Sequence, residues 1–366
     1  MNLKLWLPIL ALGLLVGWAL VEPSVVRGGE VSSNLAYKVL DPIRQGNLTV
    51  FPVVAARSYD TQQFLTLDEG VRSGEVVVTE AGNAAPLVRP RHSHPVPQWQ
   101  QGPGAQVNQL VLINNSKRPL ILLAGEIVTG GKQDRVIGKD RIIPPESDPI
   151  DLGVFCVEPG RWTGASAKFD SMNSAMAQPA VRAKAMASKD QAQVWDEVRK
   201  AQAAVAGNLE VNAAAPVRET SSYARVMQVP GVAKQVDSVA DPIQHSYQSL
   251  IGQLRDQNAV GVVVAVNGQI VWADLFASTS LLEKYWPKLV RSYAAEAVVT
   301  KAKGYEVGTK QAQAFLEHLD GRHETVDSEP GLYRHMEISG DGFRAFELTS
   351  LLPKTGFDLH VAKMAE

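Results

Sequence analysis

The sequence predicts an α+β fold: a β-rich sandwich- or barrel-like unit with packed helices, and a second β-hairpin/helix unit. Three observations carry this reading. Between Asn47 and Trp162, short β-branched runs alternate with Gly, Pro and Asn clusters, the spacing of an all-β unit. Past residue 180 the apolar residues recur at helical intervals. Val260 to Phe276 then returns to β character around Asn267-Gly268, which suits a tight type I′ hairpin turn.

In order along the chain, the expected strands are Leu48 to Val54, Glu75 to Thr79, Val107 to Ile113, Leu120 to Leu123 and Val154 to Val157. Asp68-Glu69 suits a short helical turn. These fall in a β-rich unit over 40–163. Residues 164–180 are rich in Ala, Ser, Met and Asn without a period and read as a flexible surface segment. A helix/hairpin/helix unit follows over 181–300. Its first helix has a capping box at Ser188 and Gln191, stops at Gly207, and aligns Gln191, Val194, Trp195, Val198, Ala201 and Val205 on one face toward the β unit. Asp241-Pro242 suits a helix start, and so does Ser280 with Glu283, Pro287 kinking or restarting the latter helix. The last piece, 301–366, holds a helix from Thr309 to Leu319 and strands at Tyr333 to Ile338, Phe343 to Leu348 and Phe357 to Ala362.

Residues 1–27 read as a signal peptide or N-terminal anchor. Lys4 precedes an uncharged run from Leu5 to Val21, the layout of a secretory signal. The run also approaches the ~20 residues that span a bilayer, and no Ala-x-Ala site follows it. With no cysteine at its end, lipid attachment is excluded. The expectation is an exported protein, periplasmic or extracellular, touching the membrane only through this segment. The remaining ~340 residues suit one large domain or two ordinary ones. Hydrophobic residues make up 45%, enough for a substantial core without disulfides, which the single Cys156 could not form alone. Basic and acidic residues nearly cancel, 36 against 38, without the basic bias of a nucleic-acid binder.

The densest chemistry lies at Gly125 to Arg135. A phosphate loop needs Gly-x-x-x-x-Gly-Lys-Ser/Thr. Gly125 and Gly130 keep that interval, but Gly131 displaces Lys132 and Gln133 replaces the hydroxyl. Gly130-Gly131 reads instead as a two-residue hairpin turn. It would pair Thr129 with Lys132, Val128 with Gln133, Ile127 with Asp134 and Glu126 with Arg135. Glu126, Gln133 and Arg135 would then share one face, and Lys132 and Asp134 the other. Two readings stand: a cross-strand ion pair worth up to ~1 kcal/mol on a solvated edge, or a pocket wall where Glu126 orients Arg135 to grip an anionic group.

Together with Cys156-Val157-Glu158-x-Gly160-Arg161-Trp162, this run resembles the ARG and Rhodanese-Phosphatase-superfamily-associated protein domain. The likeness continues through Gln193-Val194-Trp195, the hairpin Gly261 to Phe276 and Leu289 to Ala295. It extends over about residues 40 to 300, and the tail from 305 is not placed in it. The resemblance implies a domain and a shared site, and brings no reaction with it.

Cys156, flanked by apolar residues on both faces, suits a buried core residue better than a nucleophile. Glu158 and Arg161-Trp162, just past the strand end, suit either a solvated stack or a ligand grip. His92 and His94 share a face in a Pro-rich loop without a third metal ligand. Trp272, Asp274 and Phe276 share a hairpin face, read as packing with a polar end. No dinucleotide, hydrolase-elbow or metalloprotease fingerprint occurs, and no cofactor or metal is expected. The function expected is that of a ligand-binding or interaction domain of the cell envelope, its polar site for a small or anionic ligand formed by Glu126, Lys132, Gln133, Asp134, Arg135, Glu158, Arg161 and Trp162. The alternative is a hydrolase with Glu126, Asp134 or Glu158 as acid–base groups and Lys132 or Arg135 stabilising negative charge.

Overall fold

A computed structural model of the chain describes residues 37–81, 110–160, 168–171, 175–254, 257–304 and 306–366. The N-terminal apolar run, His92, His94, Arg161 and Trp162 lie outside the described residues. Among the described residues the fold is α+β. The strands of the first half are β1 (Tyr37–Val39), β2 (Ile43–Gln45), β3 (Leu48–Ala55), β4 (Leu65–Thr66), β5 (Val76–Glu80), β6 (Leu110–Asn114), β7 (Leu120–Leu122), β8 (Ile127–Gly130), β9 (Arg135–Ile137), β10 (Arg141–Ile143), β11 (Ile150–Asp151), β12 (Val154–Cys156) and β13 (Lys168–Asp170). Helix α1 (Leu67–Ser73) interrupts them, started by a Thr66–Glu69 capping box and stopped by left-handed Gly74.

The second half holds α2 (Pro179–Ala183) running into a π-helical turn (Lys184–Ser188), α3 (Gln191–Gly207), α4 (Val211–Glu219), α5 (Tyr223–Gln228) and α6 (Pro230–Gln253). Then come β14 (Asn258–Val266), β15 (Gln269–Phe276), α7 (Thr279–Val299), α8 (Thr309–Glu317), β16 (Gly321–Glu329), β17 (Tyr333–Gly340), β18 (Phe343–Ser350) and β19 (Asp358–Ala365).

Among the described residues the strands form three sheets. The seven-stranded sheet runs β11-β6-β5-β13-β8-β9-β12, and a three-stranded sheet runs β10-β7-β4. The largest runs β1-β3-β14-β15-β19-β18-β17-β16, with β2 also on β3. It draws strands from all three expected pieces of the chain. The expected β14–β15 turn is present, with Asn267 and Gly268 both at positive φ (53° and 71°). Helices α6 and α7 bury Tyr247, Trp286, Leu289 and Tyr293 with Val262, Val264 and Trp272 of this sheet. Each such apolar side chain contributes ~1.5–3 kcal/mol of burial.

Several boundaries differ from the sequence reading. Segment 164–180, expected to be irregular, contributes β13, which pairs with both β5 and β8. Helix α3 starts at an Asp190 cap rather than Ser188, because the chain reaches it from the π turn. The cap of α7 is Ser278, two residues before the expected Ser280, and Pro287 lies within this helix. Asp241-Pro242 does not start a helix, since α6 passes through it. The carbonyl that the proline leaves without an N–H donor, that of Ser238, accepts Gln45 Nε2 at 3.4 Å. The expected inward face of α3 is present in Val194, Val198, Ala201 and Val205, all buried.

Candidate functional site

The hairpin at the densest motif is built differently from a two-residue turn. Val128 opposes Arg135 and Ile127 opposes Val136, so the pairing of Glu126 with Arg135 does not form. Thr129 and Gly130 pair with Asp170 and Phe169 of β13 instead, and residues 131–134 make a longer turn. A side chain closes it: Asp134 Oδ1 accepts the Gly130 N–H at 3.2 Å. Gly131, at φ 50°, has no room for a side chain, since a Cβ there would stand 2.2 Å from the Phe169 ring and 2.8 Å from Glu80 Oε1.

This turn and strands β9 and β12 gather Gln133, Asp134, Arg135 and Glu158. Arg135 stands directly opposite Cys156 on β12, and Glu158, two residues on, lies next to the turn. Asp134 N donates to Glu158 Oε2 at 3.0 Å, and Gln133 Nε2 to the Glu158 carbonyl at 3.0 Å. Ser222, the N-cap of α5, donates its hydroxyl to Asp134 Oδ2 at 2.5 Å. Lys132 is half-buried, and its N–H donates to Glu80 Oε1 at 3.2 Å. The edge of β12 is closed by Gln191 of α3, which exchanges two hydrogen bonds (2.8 and 2.9 Å) with the Cys156 backbone.

Arg135 is completely buried, yet among the described residues its guanidinium makes one long hydrogen bond, Nη1 to the Asp134 carbonyl at 3.4 Å. Nε and Nη2, the two N–H groups on one edge of the guanidinium, have no hydrogen-bond partner among the described residues. Gln133 Oε1 and Glu80 Oε2 are also buried without a donor. Burial holds the guanidinium below its ordinary pKa, against the opposing pull of Cys156, Glu80, Asp134 and Glu158. Burial pushes the Cys156 thiol up. The thiol therefore stays protonated and is a weak nucleophile. An unmet guanidinium edge is a fork for a planar oxyanion, with two parallel N–H donors at the spacing of two oxygens.

Glu126 belongs to another cluster. Lys288 of α7 stands 2.5 Å from Glu126 Oε1 and 2.5 Å from Asp68 Oδ2, and Glu126 Oε2 accepts the Leu123 N–H at 2.7 Å. Burial, with Asp68 beside it, pushes the Glu126 carboxyl up. Burial opposes the charge on Lys288, but the two carboxyls outweigh it and hold the ammonium above its ordinary value. This triad ties α1 and the start of the hairpin to α7.

A third cluster was not foreseen as a charged network. Asp274 of β15 receives both ends of Arg182 at 2.9 Å, the Tyr293 hydroxyl, and His360 Nε2 at 3.1 Å. His360 Nδ1 reaches Asp140 Oδ2 at 2.5 Å, while Asp140 Oδ1 accepts the Ala124 N–H at 2.7 Å. Arg182 also lies over the Trp272 ring, 4.4 Å from its centroid. The signal was in the sequence: Asp274 shares a strand face with Trp272 and Phe276, so an acid there faces the core and must find partners. The identities of those partners, 19 to 92 residues away, left no local trace.

Of the expected site, then, Gln133, Asp134, Arg135 and Glu158 come together, with Lys132 at the rim and Glu126 apart. Glu80, Cys156 and Ser222 complete the cradle. No curated protein and no solved structure matches this chain. The sequence profile of one family does match, over residues 36–362, taking in the C-terminal strands that the motif resemblance left out. The chain belongs to the ARG and Rhodanese-Phosphatase-superfamily-associated Protein domain family.

Proposed function

We propose that the chain is an exported ligand-binding domain of the cell envelope that holds a small anionic ligand at Arg135. The observation that carries the reading is the unmet Nε/Nη2 edge of a fully buried guanidinium. A buried cation left without partners costs several kcal/mol, a cost that a bound oxyanion would offset. Export rests on the uncharged run Leu5 to Val21 after Lys4; among the described residues no helix is long and apolar enough to cross a membrane.

Because Arg135 is enclosed, a ligand enters only when a wall of the cradle opens, and association is expected to be slow. The test is calorimetric titration of the full chain with acetate, glycolate, glycine and inorganic phosphate, repeated on Arg135→Lys. Lysine keeps the charge and loses the fork. Binding of at least one of these, weakened tenfold or more in the variant, is expected. Binding of none, or equal binding by the variant, overturns the reading. The hydrolase alternative keeps only Asp134 and Glu158 as neighbouring carboxyls, because Glu126 is held by Lys288. Placement outside the cytoplasm is tested by fractionating cells that produce the full chain. Recovery in the cytoplasm alone overturns export without touching the site.

A further inference from the structure

Three buried polar side chains around the 131–134 turn keep atoms that have no hydrogen-bond partner among the described residues, and these atoms are not all of one kind. Arg135 presents two donors, Nε and Nη2, whereas Gln133 Oε1 and Glu80 Oε2 are acceptors. All three residues are nearly or fully buried: Arg135 at 0%, Gln133 at 4% and Glu80 at 6% exposure. They share one small region. The other oxygen of Glu80 is bonded to the backbone N–H of Lys132, next to Gln133. Gln133 is anchored through its nitrogen to the carbonyl of Glu158, a residue whose charge Arg135 feels together with that of Glu80. A simple oxyanion would satisfy the arginine and leave both acceptors unmet. Each acceptor buried without a donor costs ~1–3 kcal/mol, more for a charged group. The ligand that meets all three groups must therefore carry donors beside its anionic end.

Resting on the anion-site reading above, we propose that the ligand is a zwitterion of the α-amino-acid class. Its carboxylate lies on the Nε/Nη2 edge of Arg135, and its ammonium donates to Glu80 Oε2 and Gln133 Oε1. An ammonium fits this pair because it brings three donors and a charge opposite to that of a carboxyl. A hydroxyl brings one donor and no charge. A peptide end carries the ammonium or the carboxylate but not both on one carbon, so free amino acids fit where peptide termini do not.

Calorimetric titration of the full chain with glycine, glycolate and acetate at matched ionic strength tests this directly. The three share the carboxylate and differ in the neighbouring group: ammonium, hydroxyl or hydrogen. Glycine is expected to bind at least tenfold more tightly than acetate, with glycolate between them. Glu80→Gln is expected to weaken glycine at least tenfold more than it weakens acetate, and Arg135→Lys to weaken both. If acetate or glycolate equals glycine, the zwitterion assignment falls and the anion site stands. Binding of phosphate with none of the three carboxylates has the same meaning. If nothing binds, both fall. Should Glu80→Gln not fold, the contrast between glycine and acetate on the wild-type chain decides alone.

Discussion

Arg135 and Arg182 are both completely buried, and they meet burial in opposite ways. Arg182 is paired: Asp274 takes two of its nitrogens at 2.9 Å, leaving Nε alone without a hydrogen-bond partner among the described residues, and Trp272 lies beneath it. Burial opposes its charge, but Asp274 outweighs that and holds its pKa above the ordinary value. Arg135 has one long hydrogen bond and a bare edge, and its pKa is held below the ordinary value. The comparison teaches that burial of a charge does not by itself mark a site. A charge paired at two points fixes the packing of strands and helices, whereas one whose whole edge is unmet leaves an interaction open for a ligand.

The sharpest way to break this comparison is to truncate both arginines. Arg182→Met strands the buried Asp274 and is expected to cost ~3–5 kcal/mol of unfolding free energy in denaturant. Arg135→Met removes a poorly compensated cation and is expected to cost at most ~1 kcal/mol, or to stabilise the ligand-free protein. Equal losses would remove the distinction. Lys288→Met offers a second paired case, stranding Glu126 and Asp68, with a loss of the same ~3–5 kcal/mol.

The Asp274 network also predicts a pH dependence. Burial works against the His360 charge, but Asp140 and then Asp274 hold its pKa up at about 9 against an ordinary 6.5. A histidine whose folded pKa is raised stabilises the fold fully below its unfolded value and loses that contribution as pH rises toward the folded one. Unfolding free energy should therefore fall by ~2 kcal/mol between about pH 6.5 and 8. Above that, Lys363, which burial holds down to about 8, begins to act in the opposite sense. A flat profile across this window would show that His360 is not charged between the two aspartates.

Two smaller effects sharpen the picture. Gly125 sits at φ 95°, and a Cβ there would stand 2.6 Å from Arg182 Cγ. Gly125→Ala is expected to cost ~2 kcal/mol, read as a lowered melting temperature. Ser222→Ala removes the hydroxyl from Asp134 and should cost ~1–2 kcal/mol. Because Asp134 closes the 131–134 turn, that variant should also weaken any ligand measured at Arg135.

How much was legible follows from the range of each interaction. The Asn267-Gly268 hairpin was read correctly, because its turn needs two residues at positive φ and the sequence supplies them side by side. The inward face of α3 was read for the same reason, since its period is local. The 130–135 turn was misread, because Gly130-Gly131 does satisfy the local rule for a two-residue hairpin. What overrides it is β13, a strand more than thirty residues on, which takes up Thr129 and Gly130. The outcome is a shift of two positions, which preserves the alternation of faces. That is why Gln133 and Arg135 still belong to the site while Glu126 is lost to Lys288. Asp274 was seen on the correct strand face, but as a packing residue with a polar end rather than the centre of a charged network.

The sequence by itself determined the α+β class, the strand and helix periods, the family motifs and the residue types of the cradle. These follow from local sterics, from the 2.0 and 3.6 residue periods, and from short spacings that the chain carries along its length. Tertiary structure alone decided which charges are satisfied. Arg135 and Arg182 are chemically the same side chain. Only the folding of β15 and β19 around α2 gives Arg182 its Asp274, and only the approach of β12 and the 131–134 turn leaves the Nε/Nη2 edge of Arg135 open. The reason is physical: a buried charge is stabilised by partners within a few ångströms, and in a folded chain those partners come from anywhere in the sequence.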